Sequence, residues 1–300
     1  MGTPEESNFA DEDGVEIFYR HWPADDPKGA VIIAHGASEH SGRYDRFARA
    51  LTAAGWSAFA PDHRGHGRTG ASSGVGRIGP GGGDRLVDDL RQLVGMAAGT
   101  VPGRPVVLFG HSMGSMITQA YATRGATGLA GYALSGPLGV VEGADEMVTG
   151  MRAAVDAGMG DETIDMLGAY NAAFEPSRTS FDWLSRDDAE VDAYIADPLS
   201  GDGNPLTYGF VADLIGLAAP AVEADAIATI PAIPVLIVAG TMDPAGDNTK
   251  NVRVLEDRLR DAGLQVTAHY YEGARHEVLN ETNRDEVTAD IVAWLTSAIG

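Results

Sequence analysis

The 300-residue chain contains no cysteine. Disulfides, thiolate catalysis and cysteine-ligated zinc are thereby excluded. Lysine is nearly as scarce: Lys28 and Lys250 are the only two, and the other 19 basic residues are arginine. Against 21 basic residues stand 43 acidic ones, for a formal net charge of −22. A chain of this sign repels phosphate backbones and anionic lipid surfaces. Nucleic acid is therefore not expected as a partner, and any membrane association is expected to be transient. The shortage of positive charge is deepest in residues 137–229, where 18 Asp and Glu face three Arg and no Lys, a local net of −15. No apolar run reaches the roughly 18 residues of a spanning helix. The opening residues, MGTPEESNFADEDG, lack the basic start and apolar stretch of a secretory leader. Glu6 stands where a myristoylation signal wants Ser or Thr. A cytoplasmic location is the expectation.

What is present is a globular composition, 44% hydrophobic, arranged as alternating strands and helices. That alternation predicts an α/β fold with a mostly parallel sheet covered on both faces. Residues 15–19 alternate like a half-buried strand. Residues 30–34 (AVIIA) and 106–109 (VVLF) are continuous apolar runs, as central parallel strands should be. Residues 57–60 and 132–134 read as further strands, and residues 44–54 and 84–98 as helices. From about residue 138 to 230 the alternation stops. No clear strand is visible there; helical pieces are predicted at 145–156 and 163–174, among Met147, Met151, Met159, Met166 and several aromatics. Alternation resumes with strand 235–239, helix 251–262, strand 266–271 and helix 285–298. The expected organisation is a core of residues 1–137 and 231–300, interrupted by a helical insertion at 138–230.

The strongest motif is Gly110-His111-Ser112-Met113-Gly114, set between a predicted strand and a predicted helix. A G-x-S-x-G turn in that setting is a nucleophile elbow. The turn forces the serine into a strained conformation that lifts its hydroxyl above the sheet. The following helix N-terminus offers amides and a positive dipole end to a developing oxyanion. Serine needs a positioned base, and in this fold the acid and then the histidine follow it in the chain. Two histidines follow, His269 and His276. His276 lies just past a predicted strand and is the favoured base; His269, inside that strand, is the alternative. Asp243, in the turn after strand 235–239, is the favoured acid, with Asp247 the alternative. Asp213 and Asp225 read as solvated charges within the insertion. The Met113 amide is the first expected oxyanion donor. The Ala37 amide, from the loop His35-Gly36-Ala37, is the second. His35, His40, His63 and His66 fall in two turns without metal-ligand spacing. No metal and no organic cofactor is expected.

These blocks resemble a known family. The segment from His35 to Tyr44 is similar to the "HGxxEHSxRY" block of the monoacylglycerol lipase and lysophospholipase branch of α/β-hydrolases. Residues 62–67 resemble its "DxRGHG" turn, residues 110–114 its "GHSMG" elbow, and residues 273–277 its "GxxHE" block. The resemblance implies an α/β-hydrolase fold, a Ser112–Asp243–His276 triad, Ala37 and Met113 as oxyanion donors, and a cap over an acyl pocket. The expected function is hydrolysis of a small-molecule carboxylic ester with an apolar acyl group, through an acyl-enzyme on Ser112. The Met-rich insertion fits an adaptable apolar pocket. Its negative charge should favour neutral over anionic esters. A haloalkane dehalogenase or epoxide hydrolase would carry Asp in place of Ser112. A proline iminopeptidase-like enzyme would keep the triad but need an acidic site for a substrate amine. A non-catalytic binding protein on the same scaffold is the rival from another class.

Overall fold

A computed structural model describes residues 3–300. Its main sheet is built from β1 (Glu5–Ala10), β2 (Glu16–Trp22), β3 (Gly29–Ala34), β4 (Trp56–Pro61), β5 (Val106–His111) and β6 (Gly131–Ser135). Two strands from the C-terminal part complete it. The antiparallel hairpin β1–β2 lies at one edge, and β2 pairs antiparallel with β4. Every other pairing in this sheet is parallel. Strands β3, β4, β5 and β6 are buried along their whole length. That burial on both faces is why their sequences run apolar without alternation.

Helices cover the two faces. α1 (Asp45–Ala53) lies on one; α2 (Gly67–Ser73) follows β4; α3 (Asp84–Thr100) and α4 (Met113–Ala122) belong to the other face. Successive residues of β3 divide between the faces. Ile32 and Ala34 pack with α3 and α4, and Val31 and Ile33 pack with α1, as the two-residue period of a strand requires.

Between β6 and the return to the sheet lie α5 (Ala144–Ala154), a two-residue strand β7 (Thr163–Ile164), α6 (Asp188–Ala196), a second short strand β8 (Leu206–Thr207), α7 (Tyr208–Ala221) and the single turn α8 (Ala224–Ile227). This stretch corrects two sequence expectations. The helix predicted at 163–174 is instead β7 followed by 3-10 turns over Gly168–Phe174. Its first residues are taken up in antiparallel pairing, Thr163 with Thr207 and Ile164 with Leu206, which also supplies strands where none was visible. Helix α7 buries more residues than any other helix of the segment, with Phe210, Val211, Leu214 and Leu217 against the main core. The sheet then resumes with β9 (Val235–Gly240), α9 (Lys250–Asp261), β10 (Val266–Tyr271) and α10 (Arg284–Trp294), giving the order β1-β2-β4-β3-β5-β6-β9-β10. The carboxyl ends of β3, β5, β6, β9 and β10 thus face one rim, where the loops of an α/β sheet gather their functional residues.

Candidate active site

β5 delivers the chain to Ser112, and α4 begins at the next residue. Ser112 sits at φ 50°, ψ −117°, a region that non-glycine residues avoid and that persists only where surrounding structure enforces it. The flanking glycines show what does so. A Cβ on Gly114 would fall on the carbonyl of Ala34, and one on Gly110 would strike the Gly114 carbonyl and Thr118 Oγ1. Strand and helix therefore close to a distance only hydrogen permits at those positions. Ser115 Oγ donates to the Ser112 carbonyl at 2.6 Å, tightening the same turn.

The loop after β3 lies against this elbow. A Cβ on Gly36 would stand 3.3 Å from Ser112 Cβ. Buried histidines hold the loop's backbone. His35 Nδ1–H donates to the Gly36 carbonyl at 2.7 Å, and His66 Nε2 accepts from the Ser38 amide at 3.0 Å. His35 Nε2 accepts in turn from the His63 amide at 2.9 Å. These partners fix both tautomers, since an amide can only donate and a carbonyl only accept. Burial lowers the pKa of His35 and His63, and takes that of His66 to about 3, so these rings are neutral near pH 7. Ala37 and Met113 both line the cavity beside Ser112. Neither amide has an acceptor among the described residues.

On the far side of Ser112, Asp243 follows β9 and His276 follows β10. His276 Nδ1–H donates to Asp243 Oδ2 at 2.9 Å, and Asp243 Oδ1 accepts from the Ala245 amide at 2.9 Å. Burial presses the His276 pKa down, but the Asp243 charge and hydrogen bond, with Glu277 and Glu39 behind them, outweigh it. The net shift is upward from 6.5. Trp183 packs on the imidazole with ring centroids 4.8 Å apart. Ser112 and His276 face one small pocket of about 20 Å³, together with Gly36, Glu39, Tyr194 and Glu277. Among the described residues no hydrogen bond joins the Ser112 hydroxyl to His276. The alternative residues lie elsewhere. His269 is on β10 beside Asp290, Asp247 pairs with Lys250, and Asp213 pairs with Arg152.

Three charged residues with no role in the sequence reading complete the surroundings. Arg43 is buried, donating to Glu39 Oε2 at 2.6 Å and to both carboxylate oxygens of Glu277 at 2.6 and 2.8 Å. Glu39 Oε1 accepts from the Gly36 amide and the Tyr44 hydroxyl. Burial alone would raise the Glu39 pKa, yet Arg43, His111 and His35 hold it at about 2. The signal was in the sequence: Glu39 and Arg43 belong to the His35–Tyr44 block, and Glu277 directly follows His276.

From Ser112 a cavity of about 390 Å³ runs away from this polar pocket, walled by Met113, Met116, Met147, Met166, Leu214 and Ile215 among others. Other side chains of the Met- and aromatic-rich stretch do a different job. Trp183, Leu184 and Tyr194 form a small core with Ala245, against which Phe174 and Phe181 pack.

The sequence profile of the family described as "Serine aminopeptidase, S33" matches residues 25–283. The chain belongs to this family. Relatives of this family member include the monoacylglycerol lipase of Mycolicibacterium smegmatis, 36% identical over 98% of both chains. The human monoglyceride lipase is 30% identical, over 96% of this chain and 89% of its own. In structure, the family member is similar to a thermostable carboxyl esterase from Bacillus coagulans in complex with glycerol (TM-score 0.93, 29% identity, 100% of each chain). It is also similar to a lipase in an open form (TM-score 0.88, 32% identity, 99% of this chain and 100% of the other). Its fold is that of the α/β-hydrolases.

Proposed function

We propose that the protein is a serine hydrolase of carboxylic esters of the monoacylglycerol or lysophospholipid type, acting through an acyl-enzyme on Ser112. One observation carries the reading. A serine held at positive φ between strand and helix shares a pocket with a buried His–Asp pair and opens on an apolar cavity. The names of the relatives agree with it.

In the proposed mechanism His276 Nε2 takes the Ser112 proton as Oγ attacks the ester carbonyl. Asp243 holds the imidazole in the required tautomer and stabilises the imidazolium. The amides of Ala37 and Met113 receive the oxyanion, at the positive end of α4. His276 then protonates the departing alcohol oxygen, and water repeats the sequence on the acyl-enzyme. No step calls for a metal or cofactor. The apolar cavity suits the acyl chain. Residues 138–230 act in this proposal as a cap over it.

The aminopeptidase alternative, which the family's description keeps in view, needs an unpaired carboxylate for a substrate amine. The carboxylates facing the small pocket, Glu39 and Glu277, are both already paired with Arg43. Labelling with a fluorophosphonate probe, alongside turnover of p-nitrophenyl esters and aminoacyl amides, tests the reading. The expected result is Ser112-dependent labelling and ester turnover, both lost in Ser112→Ala. Faster cleavage of the amides would favour the peptidase, and absence of labelling a binding protein. Cytoplasmic residence and only transient contact with membranes remain part of the proposal; no helix among the described residues is long and apolar enough to cross a membrane.

A further inference from the structure

The cavity beside Ser112 extends along α4. Along α4 its wall is made by Met113, Met116 and Gln119, a three-residue spacing that keeps them on one face of the helix. At 1.5 Å per residue, Gln119 stands about 10 Å from Ser112 along the helix axis. Helix α7 forms another wall and runs in the same sense. Phe210, in its first turn, packs on His66, which holds the loop of Ala37. Ala221, at its other end, accepts a hydrogen bond from Gln119 Nε2 at 3.1 Å. Arg258 brings α9 to that same end by donating to the Val222 carbonyl at 2.6 Å. Val222 and, one turn before Arg258, Leu255 both line the cavity. Gln119, Val222 and Leu255 therefore gather at the end remote from the nucleophile.

Gln119 is unlike its neighbours there. It is 2% exposed, and its carboxamide is held from two sides: Nε2 by the Ala221 carbonyl, and Oε1 by the Tyr132 hydroxyl at 3.3 Å. Tyr132 is itself fully buried on β6. A methionine in this position could swing aside for a longer chain. Gln119 cannot do so without leaving buried polar groups unpaired. It makes a fixed, polar stop at the end of a mostly apolar channel.

We propose that Gln119 is the stop that sets acyl-chain length, so that the enzyme prefers medium-chain esters and discriminates against long ones. The inference rests on the ester-hydrolase reading above. With carbon–carbon bonds of about 1.5 Å at near-tetrahedral angles, an extended chain advances about 1.25 Å per bond, so about 10 Å accommodates about eight bonds.

The test is kcat/KM on p-nitrophenyl esters of four, eight, twelve and sixteen acyl carbons, each below its aggregation concentration. Wild type is compared with Gln119→Ala and with Ala218→Leu. Ala218 lines the same end from α7, and a larger side chain there should shorten the channel. Comparing chain lengths within each variant cancels any difference in the amount of folded protein. Wild type should favour eight carbons over twelve by about tenfold, a span typical of an apolar pocket. Gln119→Ala should raise the twelve-to-eight ratio by about tenfold, and Ala218→Leu should lower the eight-to-four ratio by a similar factor. Ratios within about twofold of wild type in both variants, or a wild type that already prefers sixteen carbons, would overturn the proposal while leaving ester hydrolysis in place. A wild type that neither cleaves any ester nor takes a fluorophosphonate on Ser112 would overturn both.

Discussion

His276 is fully buried next to Asp243, and that pairing decides the pH at which it can accept a proton. Burial disfavours the imidazolium, but the adjacent carboxylate favours it more strongly, so the folded pKa lies above 6.5. Only the neutral ring can serve as base. Activity is therefore expected to fall with acidification through a midpoint above that of a free histidine, read from kcat/KM against pH. The sign for stability is the opposite. A raised folded pKa contributes stability that is complete below the unfolded value and is lost as pH rises through the folded one. The protonation state needed for catalysis is thus the one in which this contribution has gone. Asp243→Asn removes the charge and leaves burial in control. The acid limb should move to lower pH, and kcat should drop by about 10⁴-fold because the wrong tautomer is favoured. An unmoved limb in that variant would show that another group titrates.

Between elements, Arg43 links the start of α1 and the loop after β3 to the loop after β10. It does so through Glu39 on one side and Glu277 on the other. Replacing it by Met leaves two buried carboxylates without their cation, which should cost about 3–5 kcal/mol of stability. Urea unfolding at pH 7 measures that loss. Because Arg43 depresses both carboxylate pKa values, its contribution is present above their unfolded pKa of about 4.5 and fades as pH falls towards the folded values. The destabilisation by Arg43→Met should shrink accordingly below about pH 4.5; a loss that stays constant with pH would count against charge pairing as its cause. Sequence reasoning did not assign this network a role, since Arg43 and Glu277 are 234 residues apart and charged residues default to solvent. The central strands were legible because burial on both faces leaves continuous apolar runs. β1 was not, since only Phe9 of Glu5–Ala10 is buried. α7 was not, because apolar residues surround it and erase the helical stripe. The convergence of Asp243 and His276 was legible because each follows a readable strand, so the sheet itself aligns them.

Over the whole molecule the excess of carboxylates sets the response to salt. With 43 acidic and 21 basic residues, negative charges outnumber positive ones by 22 whatever the folded geometry. Two effects of salt then compete. Screening weakens surface ion pairs such as Arg178–Asp192 and Arg152–Asp213, but exposed pairs contribute only about 0–1 kcal/mol each. Screening also relieves repulsion among the excess carboxylates, which folding crowds together; the excess is deepest in residues 137–229. Shrinking the Debye length from about 10 Å at 0.1 M to about 3 Å at 1 M confines each charge to its nearest neighbours. Because most long-range neighbours here are of like sign, relief should prevail over the weakening of pairs. The apparent Tm is expected to rise between 0.1 and 1 M potassium chloride, a salt range in which the change in Debye length is about threefold. The same screening should narrow the preference for neutral over anionic esters by raising kcat/KM for the anionic ones. A Tm that falls with potassium chloride would mean that specific ion pairs outweigh the net charge in holding the fold together.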